Sequence, residues 1–167
     1  RSTLFSNKVY AWLLGLIGII PVYRKIDAKS DMVRNEDMFA ATYRHLEKGN
    51  ALLIFPEGKS TPERIIHKVK TGAARIGLGA EACNDFNLNV QIVPAGINYS
   101  AGTKFRSDVH CRFGHPIAMK DFMDQYEADD RSAVQAVTTQ LQQALKKLTT
   151  TLKDQADADI VQSLETI

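Results

Sequence analysis

Two short apolar runs on either side of a helical segment constrain the fold of this chain more than any other feature. The runs are ALLIF at residues 51–55 and VQIVPAGI at residues 90–97, and each has the length of a buried strand. Between them, GAARIGLGAEAC at residues 72–83 has the length of a helix, and its small residues permit close packing against a sheet. This order predicts an α/β fold with a mainly parallel sheet flanked by helices.

A second helix is predicted before the first of these strands. Ser30 or Asp31 can cap it, Phe39, Tyr43 and Leu46 recur on one face at helical spacing, and Gly49 supplies a stop. This segment is therefore expected to form an amphipathic helix with one buried face.

The last third of the chain predicts a strand and then a long amphipathic helix. DVHCRFG at residues 108–114 alternates apolar and polar residues, as a strand with one wet face should. We expect a domain at 1–128, a helix packed on it at 129–153, and an acidic spacer leading to a further element at 154–167. The apolar stripe of the helix comprises Val134, Val137, Leu141, Leu145, Leu148 and Leu152.

Near the start of the chain, VYAWLLGLIGIIPVY at residues 9–23 is almost entirely apolar. A membrane span needs about 20 apolar residues, and this run is shorter and is interrupted by Pro21. It predicts a buried or interfacial helix followed by a short strand, and core burial and lipid contact remain open as alternatives.

Composition narrows the class of protein and of partner. The chain has 167 residues, 44% hydrophobic and 24% charged, which is typical of a single globular domain. Its net charge of +2 is small, and no basic run with interleaved aromatic residues is present, so a nucleic-acid partner is not expected. Cys83 and Cys111 stand far apart, which argues against a disulfide framework or a metal site and favours a reducing compartment. The start at Arg1 suggests a piece of a longer protein.

FPEGKST at residues 55–61 ends as a nucleotide-binding P-loop ends, but the surrounding residues exclude that class. A P-loop needs a glycine at the position of Leu53 and must lead straight into a helix, whereas Pro62 follows here. In addition, neither strand ends in an acidic residue that would hold magnesium. The loop follows a predicted strand, where ligands of parallel sheets bind.

FPEG is more informative when it is read together with four other sequence blocks of the chain. GIIPVYR at residues 18–24 precedes it, and KTGAARI at 70–76, IVPAGI at 92–97 and RFGHPI at 112–117 follow it. In this order the blocks resemble the glycerolipid acyltransferases, the family of lysophosphatidic acid and glycerol-3-phosphate acyltransferases. The likeness covers residues 4–119 and is far more specific than any single block.

The resemblance implies transfer of a fatty acyl group to a hydroxyl of glycerol phosphate or a lysophospholipid, in phospholipid biosynthesis. The implied donor is the thioester of acyl-CoA or acyl carrier protein, with no further cofactor and no metal. The implied location is cytoplasmic, peripheral at the inner face of the membrane. The alternative is a non-catalytic module that binds phospholipid or a membrane surface and retains the acceptor-phosphate loop.

The loop and its neighbours supply the groups that an acceptor phosphate requires. Gly58 lets the main chain approach closely, hydroxyls donate hydrogen bonds, and basic side chains supply charge. A carboxylate beside a phosphate is repulsive, so Glu57 is expected to orient a basic side chain or accept a hydrogen bond from the acceptor hydroxyl. The expected substrate-binding residues are Arg24, Glu57, Gly58, Lys59, Ser60, Thr61 and Lys70.

This sequence departs from the family in two ways. The common loop reads FPEGTRS, and its arginine falls on Ser60, so a lysine replaces the usual phosphate clamp or the acceptor differs. The family's chemistry rests on His-x4-Asp, in which histidine deprotonates the acceptor hydroxyl. None of the four histidines here has an aspartate five places on. The family places that pair before the GIIPVYR block, which would be upstream of Arg1, and this chain alone is expected to be inactive.

Overall fold

The computed structural model describes the backbone at residues 30–59, 66–100 and 105–149, and the side chains of these ranges from residue 36 onward. The chain divides into two compact units, Arg1–Leu52 and Leu53–Ile167. The helices are α1 (Ser30–Glu47), α2 (Gly72–Ala82), a 3-10 turn (Met119–Phe122), α3 (Met123–Ala128) and α4 (Asp130–Leu148). The strands are β1 (Gln91–Ile92), β2 (Ala95–Tyr99), β3 (Val109–Phe113) and β4 (Ile117–Ala118).

In the first unit, the described part contains α1 and the turn that ends it. The helix runs from Ser30 to Glu47, as its apolar spacing predicts, and the Phe39 and Tyr43 rings lie 6.2 Å apart on one face. Gly49 ends the helix in the left-handed region at φ +74, and its amide donates to the carbonyl of Leu46. The predicted helix and its glycine stop are both confirmed.

The second unit is organised around α4, whose apolar stripe is the main part of the core. Val137, Leu141, Leu145 and Leu148 are buried, as the sequence predicts. The helix begins at a cap, since the Asp129 carboxylate accepts a hydrogen bond of 3.1 Å from the amide of Arg131. It packs on α2, on the 3-10 turn and on β2.

Small residues let α2 approach its neighbours closely. A Cβ added at Gly77 would lie 2.9 Å from the sulfur of Met119, which is fully buried. The observed helix matches the predicted one to within a residue. Thr71 occupies the N-cap position of α2, but its side chain makes no capping hydrogen bond.

A buried carboxylate organises the connection from α2 to β1. Glu81 is 0% exposed, and its carboxylate accepts hydrogen bonds from the amides of Leu88, at 3.1 Å, and Val90. Its carbonyl accepts from the amide of Phe86, which has a positive φ. Burying a charged group is costly unless it is hydrogen-bonded, so this carboxylate fixes the path of the irregular segment.

The strands form two antiparallel pairs. β1 pairs with β4, and β2 pairs with β3 in a register that places Ile97 opposite Cys111. The end of α4 packs against β2, and the side-chain Nδ2 of Asn98 donates a hydrogen bond of 3.3 Å to the backbone carbonyl of Leu148. A Cβ at Gly96 would lie 2.8 Å from the same carbonyl oxygen, so only glycine permits this contact.

The structure confirms a mixture of helices and strands but differs from the sequence prediction in its strands. Residues 51–55 form no strand, and Leu53 is 82% exposed, because no described segment pairs with them. The predicted strand at 90–97 is divided by Val93 and Pro94 into β1 and β2. Both described pairs are antiparallel, so parallel pairing is not observed among these residues.

The predicted alternation of β3 is also wrong. All five residues of the strand are exposed, including Phe113, which is 71% exposed. The dry face expected from the sequence has no covering element in the described part of the second unit, and that side of the β2–β3 pair is therefore open.

Several predictions lie outside the described residues. They are the apolar segment at 9–23, Leu152 and the spacer at 154–167. None of the helices in the described ranges has the length and apolar character that a bilayer crossing requires.

The close approach of β2 and α4 predicts the effect of a single methyl group. Gly96→Ala should lower the free energy of unfolding by about 1–3 kcal/mol, because the added Cβ meets backbone atoms of Leu148 that cannot move independently. The measurement is urea unfolding followed by circular dichroism. Gly72→Ala is the control, since its Cβ meets nothing within 4 Å and it should be neutral or stabilising. Equal effects of the two substitutions would contradict the packing described here.

Candidate functional site

The FPEG segment forms a tight turn after residues 51–54, which belong to neither a helix nor a strand. The amide of Gly58 donates to the carbonyl of Phe55 at 3.2 Å, and Gly58 adopts φ +62. This left-handed conformation is costly for a residue with a Cβ but not for glycine. The identity of residue 58 is therefore dictated by the turn.

Two hydrogen bonds connect this turn to the segment at residues 67–70. The amide of Lys70 donates to the carbonyl of Pro56 at 2.9 Å. The amide of His67 donates to the Oε2 of Glu57 at 2.8 Å. Glu57 is half-buried, and its carboxylate is thus engaged by the backbone of the loop itself.

The hydrophobic core anchors this returning segment. Val69 is 2% exposed and belongs to the same buried cluster as Leu78 and Leu141, whereas Lys68 and Lys70 on either side of it are exposed. The alternation directs Val69 inward and its neighbours outward. The core thus sets the direction in which Lys70 leaves the segment.

The side chain of Lys70 extends over the turn. A Cβ built on Gly58 would lie 2.7 Å from the Nζ of Lys70 and 3.3 Å from its Cε. The ammonium group therefore rests against the backbone of residue 58, and Lys59, the next residue, is also exposed. Two cations on exposed backbone form a surface that is suited to an anion.

Of the substrate-binding residues predicted from the sequence, the structure describes four. Glu57, Gly58 and Lys59 are consecutive, and Lys70 joins them through the contacts given above. Arg24, Ser60 and Thr61 lie outside the described residues, and their roles stay predictions.

Sequence reasoning missed the contribution of backbone groups to this site. The carbonyl of Pro56 and the amide of His67 hold the two sides of the loop together. No sequence pattern could identify them, because every residue carries a carbonyl and almost every residue an amide. The only available signal was the half-apolar run at residues 66–70, in which Val69 stands alone between polar neighbours.

The second unit also contains a cleft beside the end of α2. A shallow cleft of about 300 Å³ is lined by Ala82, Asp85, Phe86, Met123, Tyr126 and Glu127. Burial raises the pKa of the Tyr126 hydroxyl, and the nearby Asp130 and Cys83 raise it further. The cleft carries two carboxylates and so has the wrong sign of charge for a phosphate.

A sequence model of the acyltransferase family matches residues 1–98 of the chain. The chain is 33% identical over 132 residues to glycerol-3-phosphate O-acyltransferase 1 of Saccharomyces cerevisiae, covering 76% of this chain and 17% of that protein. It is 27% identical over 135 residues to glycerol-3-phosphate O-acyltransferase 2 of the same yeast, covering 80% of this chain and 18% of that protein.

An uncharacterized acyltransferase of Schizosaccharomyces pombe is 29% identical over 122 residues, which cover 72% of this chain and 18% of that protein. The chain thus spans less than one fifth of the length of these relatives. No solved structure matches it.

The left-handed turn predicts a cost for any side chain at residue 58. Gly58→Ala should lower the free energy of unfolding by about 1–2 kcal/mol, because a Cβ disfavours positive φ. Gly49→Ala is the matched control, since it carries the same strain at φ +74 with nothing within 4 Å of the new Cβ. Urea unfolding should give similar losses, because the flexible end of Lys70 can move aside. A fully stable Gly58→Ala variant would contradict the turn geometry.

Proposed function

Because the chain belongs to the acyltransferase family, we propose that it supplies the acceptor-binding part of an O-acyltransferase. The proposed reaction moves a fatty acyl group from acyl-CoA or acyl carrier protein to a hydroxyl of glycerol phosphate or a lysophospholipid. Two yeast relatives are named for glycerol 3-phosphate, and that name supports a glycerol phosphate as the acceptor class.

The observation that carries this proposal is the contact of Lys70 with the turn at Gly58. A lysine ammonium and the neighbouring Lys59 provide charge for an anionic head group, while glycine leaves the backbone open to approach. Ser60, Thr61 and Arg24 complete the proposed acceptor site. The acceptor phosphate would be held here and its hydroxyl presented to the acyl thioester.

The transfer step itself needs a base, and the residue pair that supplies it in the family does not occur in this sequence. Attack of the acceptor hydroxyl on the thioester carbonyl requires removal of the hydroxyl proton, and His-x4-Asp performs this step in the family. None of the four histidines has an aspartate five places on. We propose that the chain by itself binds acceptor without turnover.

The location and the finer fold belong to the same proposal. A lysophospholipid acceptor is reached at a membrane surface, so peripheral association with the cytoplasmic face is the proposed location. Parallel pairing of residues 53–55 would put the FPEG turn at the carboxyl edge of a sheet, where ligands of α/β folds bind. The exposure of Leu53 and Phe55, at 82% and 68%, supports a further strand partner for this run.

Alanine substitutions test the proposed acceptor site. Lys70→Ala, Lys59→Ala and Arg24→Ala should each weaken the binding of glycerol 3-phosphate by about 1.5–3 kcal/mol, since each removes a charged hydrogen bond. Isothermal calorimetry measures the affinity. Lys146→Ala is the control, because this exposed lysine lies in the last turn of α4 and outside the loop. A residue whose loss leaves the affinity unchanged does not belong to the site.

An assay of thiol release tests the proposed lack of turnover. The isolated chain, given acyl-CoA or acyl carrier protein thioester together with glycerol 3-phosphate, should release free thiol no faster than the buffer does. Acceptor-dependent release by this chain would show that another group acts as the base. Binding of acceptor in a longer protein that also lacks turnover would favour the non-catalytic module instead.

A further inference from the structure

Glu57 carries out a task that differs from direct contact with the acceptor. Its Oε2 accepts a hydrogen bond of 2.8 Å from the amide of His67, across the loop. A carboxylate in an acceptor-phosphate site repels the phosphate, so a role in direct contact with the ligand is disfavoured. We propose that Glu57 is a positioning residue, which holds the segment at residues 67–70 so that Lys70 stands over Gly58. This inference rests on the proposed function.

The geometry gives Glu57 control over the cation. Residues 67–70 meet the FPEG turn at two points, the carboxylate of Glu57 and the carbonyl of Pro56. With the Glu57 bond removed, the segment keeps the Pro56–Lys70 hydrogen bond and the burial of Val69. A carboxylate is a stronger acceptor than a neutral carbonyl, so the Glu57 bond is the larger of the two polar restraints.

The charges of the loop agree with this role. Glu57 is half-buried, while Lys59 and Lys70 are exposed. A carboxylate occupied by a backbone amide offers less of its charge to a phosphate than an open one does. The two lysines therefore give the loop surface a positive charge, while the Glu57 carboxylate binds a backbone amide of the loop.

Two ligands separate positioning from direct contact. Inorganic phosphate shares the anionic group of glycerol 3-phosphate but lacks its acceptor hydroxyl. If Glu57 acts through Lys70, Glu57→Ala should weaken both ligands by about tenfold, the loss expected for a misplaced charged hydrogen bond. If it contacts the acceptor hydroxyl, only glycerol 3-phosphate binding should weaken, and that result would overturn the inference.

A double-mutant cycle identifies the residue through which Glu57 acts. In the Lys70→Ala background, Glu57→Ala should cause no further loss of affinity, because the cation it positions is gone. Losses that multiply would assign Glu57 an independent contact and overturn the inference. Glu57→Gln retains an oxygen that can accept from His67 and should stay within about threefold of the unaltered chain. A Gln variant as weak as the Ala variant would also count against positioning.

Amide hydrogen exchange, measured without ligand, tests whether Glu57 holds the segment at residues 67–70 in place. Glu57→Ala should speed exchange at the His67 amide and, to a smaller extent, at the Lys70 amide, because both belong to the segment that loses a restraint. Asp121→Ala, which removes an exposed carboxylate remote in sequence from the loop, should change neither. If the exchange rate of the His67 amide is unchanged in Glu57→Ala, the inference about Glu57 is wrong, but the proposed acceptor site is not affected. Failure of the unaltered chain to bind either ligand overturns the proposed acceptor site and the inference together.

Discussion

The packing of α4 on α2 is the contact on which the rest of the second unit depends. The buried stripe of α4 meets a helix whose glycines and alanines allow close approach, and Val69 enters the same cluster. Because Val69 is fixed in this core, the next residue, Lys70, emerges at a defined position beside the FPEG turn. The site is thus an outward extension of the core and not an independent loop.

The helices could be predicted from the sequence and the strand pairing could not. The bounds of α1, α2 and α4 follow from spacing, glycine stops and a cap, which are all local signals. Pairing of strands depends on partners distant in sequence, so the apolar run at 51–55 predicted burial that no described partner provides. Pro94, which has no amide proton to donate to a neighbouring strand, falls at the break between β1 and β2.

The candidate site was predictable where it depends on side chains and on family resemblance. That reasoning joined Glu57 and Gly58 with Lys70, twelve residues further on, and the structure brings these three together. The hydrogen bond from a backbone amide to the Glu57 carboxylate could not be predicted, because almost every residue carries such an amide. Of the two roles expected for Glu57, orienting a basic side chain and contacting the acceptor hydroxyl, the first is the one that we propose above.

The absence of the common arginine from the FPEGKST loop has consequences for what the proposed site could distinguish. Arginine in the common FPEGTRS loop would offer a planar fork that fits two phosphate oxygens at once, whereas Ser60 stands at that position here. The ammonium of Lys70 comes instead from the returning segment, as a point charge on a flexible chain. A point charge attracts phosphate without fixing its orientation. In the proposed site, orientation of the acceptor would therefore come from the backbone of the turn at Gly58, which the hydrogen bond to Phe55 closes.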